Sequence, residues 1–331
     1  MPNAYIVGTG FYVPPKIVTN EELSQHMNTT DKWIRERTGI RERRYVEKGV
    51  GPSDLAIPAV EKALKEAELS VSDIEFIIFA TSTPDYYAPG SGCLLQEKMG
   101  FKEIGALDIR VQCSGFLYGI SIAEQYIKTG MFNNILLIGA EVQSTAMDLT
   151  DQGRDTAVIF GDGAGAVVIS GTEEDRGILS THMHSEGKYL KELWLESPAS
   201  NRGHPRIETE DLDKGKQYLK MNGKEVFRHA VNRFPEAINE CLKKNNLSID
   251  DIHLLIPHQA NLRITRMVKK KMGLKDEQVF SNIHKYGNTT AASIPIALAE
   301  AINERKISKG DLVVFASFGS GFTWASAIMK W

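Results

Sequence analysis

Three residues set far apart in this sequence are candidates for nucleophilic chemistry, as nucleophile, base or donor, and oxyanion donor: Cys113 in VQCSGFLYG, His258 in LLIPHQANLRI and Asn288 in HKYGNTTAASIP. Cys113 follows a short β-like stretch through Val111 and Gln112. It precedes Phe116, Ile120, Ala123 and Ile127, apolar positions at three- and four-residue steps. That spacing predicts a helix opening at the cysteine, where free backbone N–H groups and the helix dipole favour a thiolate nucleophile. The competing reading is a buried cysteine packing as a small hydrophobe. His258 ends an apolar strand and precedes a helix beginning near Leu262, the place from which side chains of α/β proteins face a ligand crevice. It is a candidate base or donor, against a structural histidine satisfied by backbone. Asn288, after Gly287, is either a helix N-cap or a neutral donor aimed at a developing oxyanion. Spacing alone leaves these alternatives open.

Positioning such a set needs a framework, and the chain alternates strand-like and helix-like stretches. Residues 4–8, 74–81, 135–140 and 164–169 read as strands, and residues 54–67 and 91–99 as helices. Near-continuous apolar strands between amphipathic helices predict an α/β protein whose sheet is covered on both faces. At an offset of 178 residues, AVEKALKEAELSVSDIEFI (59–77) aligns without gaps on AINECLKKNNLSIDDIHLL (237–255), with seven identities in 19 positions. Each copy reads as a helix, a Leu-Ser turn and a buried strand. The same offset lays the strand at 135–138 on 313–316 and brings Cys113 within a few residues of Asn288. A duplicated domain follows, with two helix starts converging on one cleft. The expected division is 1–172 with Cys113, a pocket-covering excursion over 173–216 that carries Trp194, Leu195 and Pro198, and 217–331 with His258 and Asn288.

Composition excludes several classes. A formal net charge of −3 argues against general nucleic-acid binding, and 42% hydrophobic with 24% charged residues is ordinary for a water-soluble chain. No apolar run reaches the roughly 18 residues of a membrane span. The first residues lack the cationic start and apolar core of a signal peptide. Three cysteines, odd in number and far apart, fit a reducing compartment, so a cytoplasmic protein is expected. FGDGAGA (160–166) precedes a strand rather than joining strand to helix and has no following lysine, unlike a phosphate loop. FGSGF (318–322) follows a strand and offers a backbone N–H near Cys113. Arg263, Arg266, Lys269, Lys270, Lys271 and Lys275 make a basic patch beside the cleft, suited to an acidic carrier or phosphorylated cofactor, or simply a solvated face.

Over nearly its whole length the chain resembles the β-ketoacyl-acyl carrier protein synthase III family of condensing enzymes. The resemblance rests on DKWIRERTGIRERR (31–44), QCSGFLYG (112–119), FGDGAGA, MNGKEVF (221–227), PHQAN (257–261), YGNTTAASIP (286–295) and FGSGFTWASA (318–327). It implies a thiolase-like duplicated α/β fold in five layers, α-β-α-β-α, assembled as a homodimer. It implies decarboxylative condensation of an acyl-CoA primer with malonyl-acyl carrier protein, starting fatty-acid synthesis without a resident cofactor or metal. Cys113 would carry the acyl group; His258 and Asn288 would hold the malonyl thioester oxygen; backbone N–H groups of Cys113 and Ser320 would form the oxyanion hole. Trp33, Arg37, Arg154, Phe227 and Asn261 would bind CoA, and Gln259, Ala260, Asn261, Leu262 and Arg263 would dock the carrier protein. Ser320 stands mid-turn where the family carries glycine. Ala88 replaces the phenylalanine of acetyl-preferring relatives, which implies room for longer or branched primers. The nearest alternative is a same-fold acyltransferase or condensing enzyme of specialised, polyketide-like metabolism. A cysteine hydrolase using Cys113 and His258 and a non-catalytic nucleotide-binding module are the other readings.

Overall fold

The structure, a computed structural model, describes residues 2–331. Its first sheet holds β1 (Asn3–Tyr12), β2 (Phe76–Ala80), β3 (Gly105–Ile109), β4 (Asn134–Glu141) and β5 (Gly163–Thr172) in the order β1-β5-β4-β2-β3. The second holds β6 (Gly177–Ser185), β7 (Leu254–Pro257), β8 (Leu312–Gly319) and β9 (Thr323–Lys330) in the order β7-β8-β9-β6. Pairing directions match between the sheets: β2 with β4 and β7 with β8 are parallel, and the remaining steps outward to β1 and β6 are antiparallel.

The helices that matter to the site are α1 (Asp31–Thr38), α2 (Pro52–Glu66), α3 (Ser91–Met99), α4 (Gly115–Lys128), α5 (Gly223–Lys244), α6 (Leu262–Met272) and α7 (Ser293–Asn303). Strand side chains alternate between faces, and this sorts the core into layers. Ile78, Ile135 and Leu137 of the first sheet, and Val313 and Phe315 of the second, point inward onto one cluster with Phe116 and Ile120 of α4 and Leu298 of α7. Their neighbours point outward: Ile77, Phe79, Leu136 and Ile138 onto α2 and α3, and Val314 and Ala316 onto α5 and α6. The result is five layers, α-β-α-β-α, with α4 and α7 between the sheets. A middle-layer helix meets apolar neighbours on two sides, which is why α4 and α7 are so apolar.

The offset of 178 runs through local structure. Single-turn 3-10 helices at Val71–Asp73 and Ile249–Asp251 are held by the same Ser-Asp caps, from Ser70 and Ser248. Glu68 and Asn246 take the same left-handed φ, 55° and 54°. The entering bonds, Glu75 N–H to Asn134 O and His253 N–H to Leu312 O, are both 3.0 Å. One expectation needs correction. The 173–216 span is not a single excursion, because Gly177–Ser185 is strand β6, paired with β9. As an edge strand with one open side it tolerates its serines and histidines, of which His182 and His184 alternate as a strand requires. Beyond it, Leu193–Trp194 pairs with Lys220–Met221 as a short ribbon over the site.

Candidate active site

The strand ends of both halves meet at Cys113. It sits in a 3-10 turn, Gln112–Ser114, between β3 and α4, and the second half places Thr290–Ala292 at the equivalent point before α7. Gln112 and Thr290 are both left-handed, φ 44° and 51°, a conformation that costs a non-glycine residue on the order of 1–3 kcal/mol. Gly319, at the end of β8, presses on the cysteine so closely that a Cβ there would lie 2.5 Å from Cys113 Cβ and 2.8 Å from Sγ. Backbone N–H groups of Cys113 and Ser320 point at the sulfur and favour its anion, but burial, helped by the Glu141 carboxylate, wins and pushes the thiol up to about 12. The resting group is therefore a thiol, not the thiolate expected from the helix start. The dipole and N–H groups are there, but the residue is buried, 6% exposed.

His258 follows β7, its own N–H bonded to Ala316 O. The ring is buried, which pushes its pKa down to about 3 and keeps it neutral. Nδ1 lies 2.6 Å from Ser293 Oγ at the start of α7. That oxygen already accepts the Gln259 N–H at 3.3 Å, so the hydroxyl proton is free to donate to Nδ1. In the tautomer in which Ser293 donates to Nδ1, Nε2 carries the hydrogen and is a donor. Asn288 is fixed by similar logic. Its backbone bonds to Ile159 O and Gly161 N, and its Oδ1 accepts the Thr290 N–H at 2.8 Å. The unused atom of the carboxamide is the donor Nδ2. It is not the N-cap of α7, a position held by Ala292.

Cys113, His258 and Asn288 line one cavity of about 630 Å³. Its outer reach is lined by Trp33, Arg37, Phe227, Ala260, Asn261 and Arg263. Arg154 and Arg37 stand 4.9 and 5.7 Å from the Trp33 ring centroid, within cation-π range. Arg154 itself is held by Asp155 and Asn28 O and does not line the cavity. Asn261 caps α6 by accepting the Arg263 N–H and donates to Arg37 O, which ties α6 to α1 at the cavity mouth. Leu262 and Arg263 continue into a surface groove with Lys32, Arg35, Arg41 and Arg266. Gln259 departs from its expected place at a docking surface: it is 1% exposed, and its carboxamide bonds Pro257 O, Ser281 Oγ and Asn282 N. Two other members of the predicted basic patch point elsewhere, Lys269 to Asp276 and Lys271 to Val231 O.

A second cavity of about 640 Å³ opens on the other side of Cys113, under the 190–201 part of the excursion. Leu193 lines both cavities, and Ser320 Oγ donates to its carbonyl, so the serine of the FGSGF turn ties that turn to the ribbon. Ala88 reaches neither cavity within one chain and lies exposed beside Tyr86 and Tyr87.

Two models of one family match the chain: 3-oxoacyl-[acyl-carrier-protein] synthase III over residues 107–187, and its C-terminal part over residues 242–331. The β-ketoacyl-[acyl-carrier-protein] synthase III of Clostridium perfringens strain SM101 is 44% identical over 330 residues, covering 100% of both chains. The chain belongs to the β-ketoacyl-acyl carrier protein synthase III family. The 3-oxoacyl-[acyl-carrier-protein] synthase III of Aquifex aeolicus superposes with a TM-score of 0.90 at 41% identity, covering 99% of this chain and 100% of that one. The priming β-ketosynthase of the R1128 polyketide pathway superposes at 0.92 with 28% identity, covering 99% and 96%. The synthase is thus a condensing acyltransferase that joins an acyl-CoA primer to malonyl-acyl carrier protein to start fatty-acid synthesis. No helix among the described residues is long and apolar enough to cross a membrane.

Residue reading missed two members of the synthase's site. Ser293 stands inside YGNTTAASIP, and its signal in the sequence is a hydroxyl at a helix start following the asparagine. Glu141 ends the apolar strand β4, and its counterpart across the repeat is Gly319. It is fully buried and accepts from Ser82 N–H and Oγ (3.1 and 2.8 Å), Thr83 Oγ1 (2.8 Å), Gln143 Nε2 (3.2 Å) and, from the other half, Ala291 N–H (3.5 Å). Burial still pushes its pKa up to about 7. The FGDGAGA run is structural: buried Asp162 accepts from Val46 N–H, Ser144 N–H and Ser144 Oγ, and a Cβ on Gly161 would lie 2.4 Å from Tyr286 O.

Proposed function

We propose that Cys113 takes the primer from acyl-CoA and that His258 and Asn288 drive its extension. The observation that carries this reading is that Cys113 sits between two cavities, with both neutral donors on one side of it. Attack of Sγ on the thioester forms Cys113 S–C(O)R, and the departing CoA sulfur takes up the proton the thiol gives up. The chain then lies in the second cavity, leaving the first to malonyl-acyl carrier protein. As CO2 leaves, negative charge grows on the thioester oxygen. Nε2–H of His258 and Nδ2–H of Asn288 stabilise it, and a neutral imidazole does so without a buried charge at rest. The enolate carbon attacks the acyl carbon, the tetrahedral oxyanion rests on the N–H groups of Cys113 and Ser320, and collapse expels the sulfur, which takes up one proton.

Trp33, Arg37 and Arg154 would hold the adenine and phosphate end of CoA, with Phe227 and Asn261 along the pantetheine path. The groove carrying Lys32, Arg35, Arg41, Arg263 and Arg266 would dock the acidic carrier. A homodimer is supported by the unpaired edge of β3 and by Tyr86 and Tyr87, 62% and 63% exposed, with Ala88 between them and the next strand. Three free cysteines suit a cytoplasmic setting. A panel of acyl-CoA primers with malonyl-acyl carrier protein, read for CO2 and condensed product, tests the whole reading. Free fatty acid as the main product would sink it in favour of a hydrolase. The likeness to the R1128 priming enzyme keeps a polyketide-type role in view, and preference for primers foreign to fatty-acid synthesis would favour it.

A further inference from the structure

The second cavity has two unlike walls. One comes from the excursion and is largely apolar, with Leu190, Leu193, Trp194 and Leu195 beside the polar Ser200 and Asn201. The other is polar and comes from the first half, with Ser82, Thr83, Gln112 and Gln143. A cavity built only for an alkyl chain has no use for the second wall, since burying a carboxamide against hydrocarbon costs about 1–3 kcal/mol when it is left unpaired.

Glu141, lying beneath, fixes which polar atoms are spent. A carboxylate presents acceptors only, so everything that touches it must donate. Ser82 and Thr83 turn their hydroxyl hydrogens down onto it. Gln143 turns Nε2 toward it and toward Ser82 Oγ, at 3.2 and 3.0 Å. The amide is therefore oriented by its neighbour, and Oε1, the atom left over, has no partner among the described residues. Gln143 is 4% exposed, so that acceptor faces the cavity and not bulk water.

We propose that the primer of this synthase carries a hydroxyl group on its acyl chain, which donates to Gln143 Oε1, making Gln143 a specificity-determining residue. The inference rests on the acyl-Cys113 reading above, which fills this cavity with the primer chain. The apolar wall accommodates the methylene face of the same chain.

The test compares butyryl-CoA with 3-hydroxybutyryl- and 4-hydroxybutyryl-CoA at pH 8, using full-length enzyme and malonyl-acyl carrier protein. One matched hydrogen bond predicts a preference for one of the hydroxyacyl primers of about tenfold in kcat/KM. Gln143→Leu, and Gln143→Met as the closer match in shape, should reverse that preference. The ratio between primers is internal to each protein, so loss of folded enzyme does not mimic the result. Wild-type preference for butyryl-CoA over both hydroxyacyl primers overturns the proposal, as does an unchanged ratio in Gln143→Met. Failure of any acyl-CoA, acetyl included, to label Cys113 would instead overturn the reading on which it rests.

Discussion

Replacing Ser293 with alanine separates the two halves of the reaction. Ser293 Oγ lies 2.6 Å from His258 Nδ1 inside the protein, and the serine is 2% exposed. Removing it leaves a buried ring nitrogen unpaired, at a cost of about 1–3 kcal/mol. It also frees the imidazole to take the tautomer with hydrogen on Nδ1, which cannot donate from Nε2. At 1.36 kcal/mol per factor of ten, about 1–2 kcal/mol lost from the decarboxylation transition state lowers condensation kcat roughly 5- to 30-fold. Alanine suits a helix start inside the core, so the fold should survive. Transfer of a radiolabelled acyl group to Cys113 does not call on that donor and should fall less than about threefold. Release of labelled CO2 from malonyl-acyl carrier protein should carry the whole loss, and Ser293→Thr should restore part of it. Equal losses in both half-reactions, or decarboxylation within about twofold of wild type, would refute the tautomer argument.

Other expectations follow from the same geometry. Gly319→Ala places a methyl 2.8 Å from Cys113 Sγ and displaces the turn carrying the Ser320 N–H, so kcat should fall by about 10²- to 10³-fold in steady-state assays of folded protein. Trp33→Ala should raise KM for acyl-CoA several-fold with little change in kcat, since its cation-π platform acts in binding alone. Glu141, whose folded pKa stands near 7 against an ordinary 4.5, binds its proton more tightly in the folded protein. Folding stability from this group is therefore fully present below about pH 4.5 and is lost as pH rises toward 7. Urea unfolding at pH 5 and pH 8 should show Glu141→Gln gaining on wild type by about 2.5 kcal/mol across that range. No pH dependence in that difference would remove the buried-carboxylate argument.

How far the sequence spoke depended on how local the physics was. The repeat was legible because helix, Leu-Ser turn and strand recur in one reading frame, and the fold keeps that frame down to paired φ angles at Glu68 and Asn246. Cys113, His258 and Asn288 could be named because each stands at a strand or helix end. Whether they were used depended on neighbours distant in sequence. The state of the thiol is set by burial beneath Gly319 and by Glu141, which no local pattern announces. Gln259 is placed at a docking surface by the resemblance alone, which carries a whole segment over, whereas its carboxamide bonds Pro257 O, Ser281 Oγ and Asn282 N–H inside the protein. The alternation of His182 and His184 reads as strand-like, and they lie in strand β6, whose pairing with β9 no local pattern announces. Left-handed Gln112 and Thr290 escaped because neither is the glycine or asparagine that usually marks such a turn.

The central claim is that Cys113 carries the primer. Incubating the enzyme with acyl-CoA alone and weighing the intact protein should show one added acyl group, with peptide mapping placing it on Cys113 and Cys113→Ser remaining unlabelled and unable to condense. An acyl group found on Cys93 or Cys241, or full condensation by Cys113→Ser, would contradict the account.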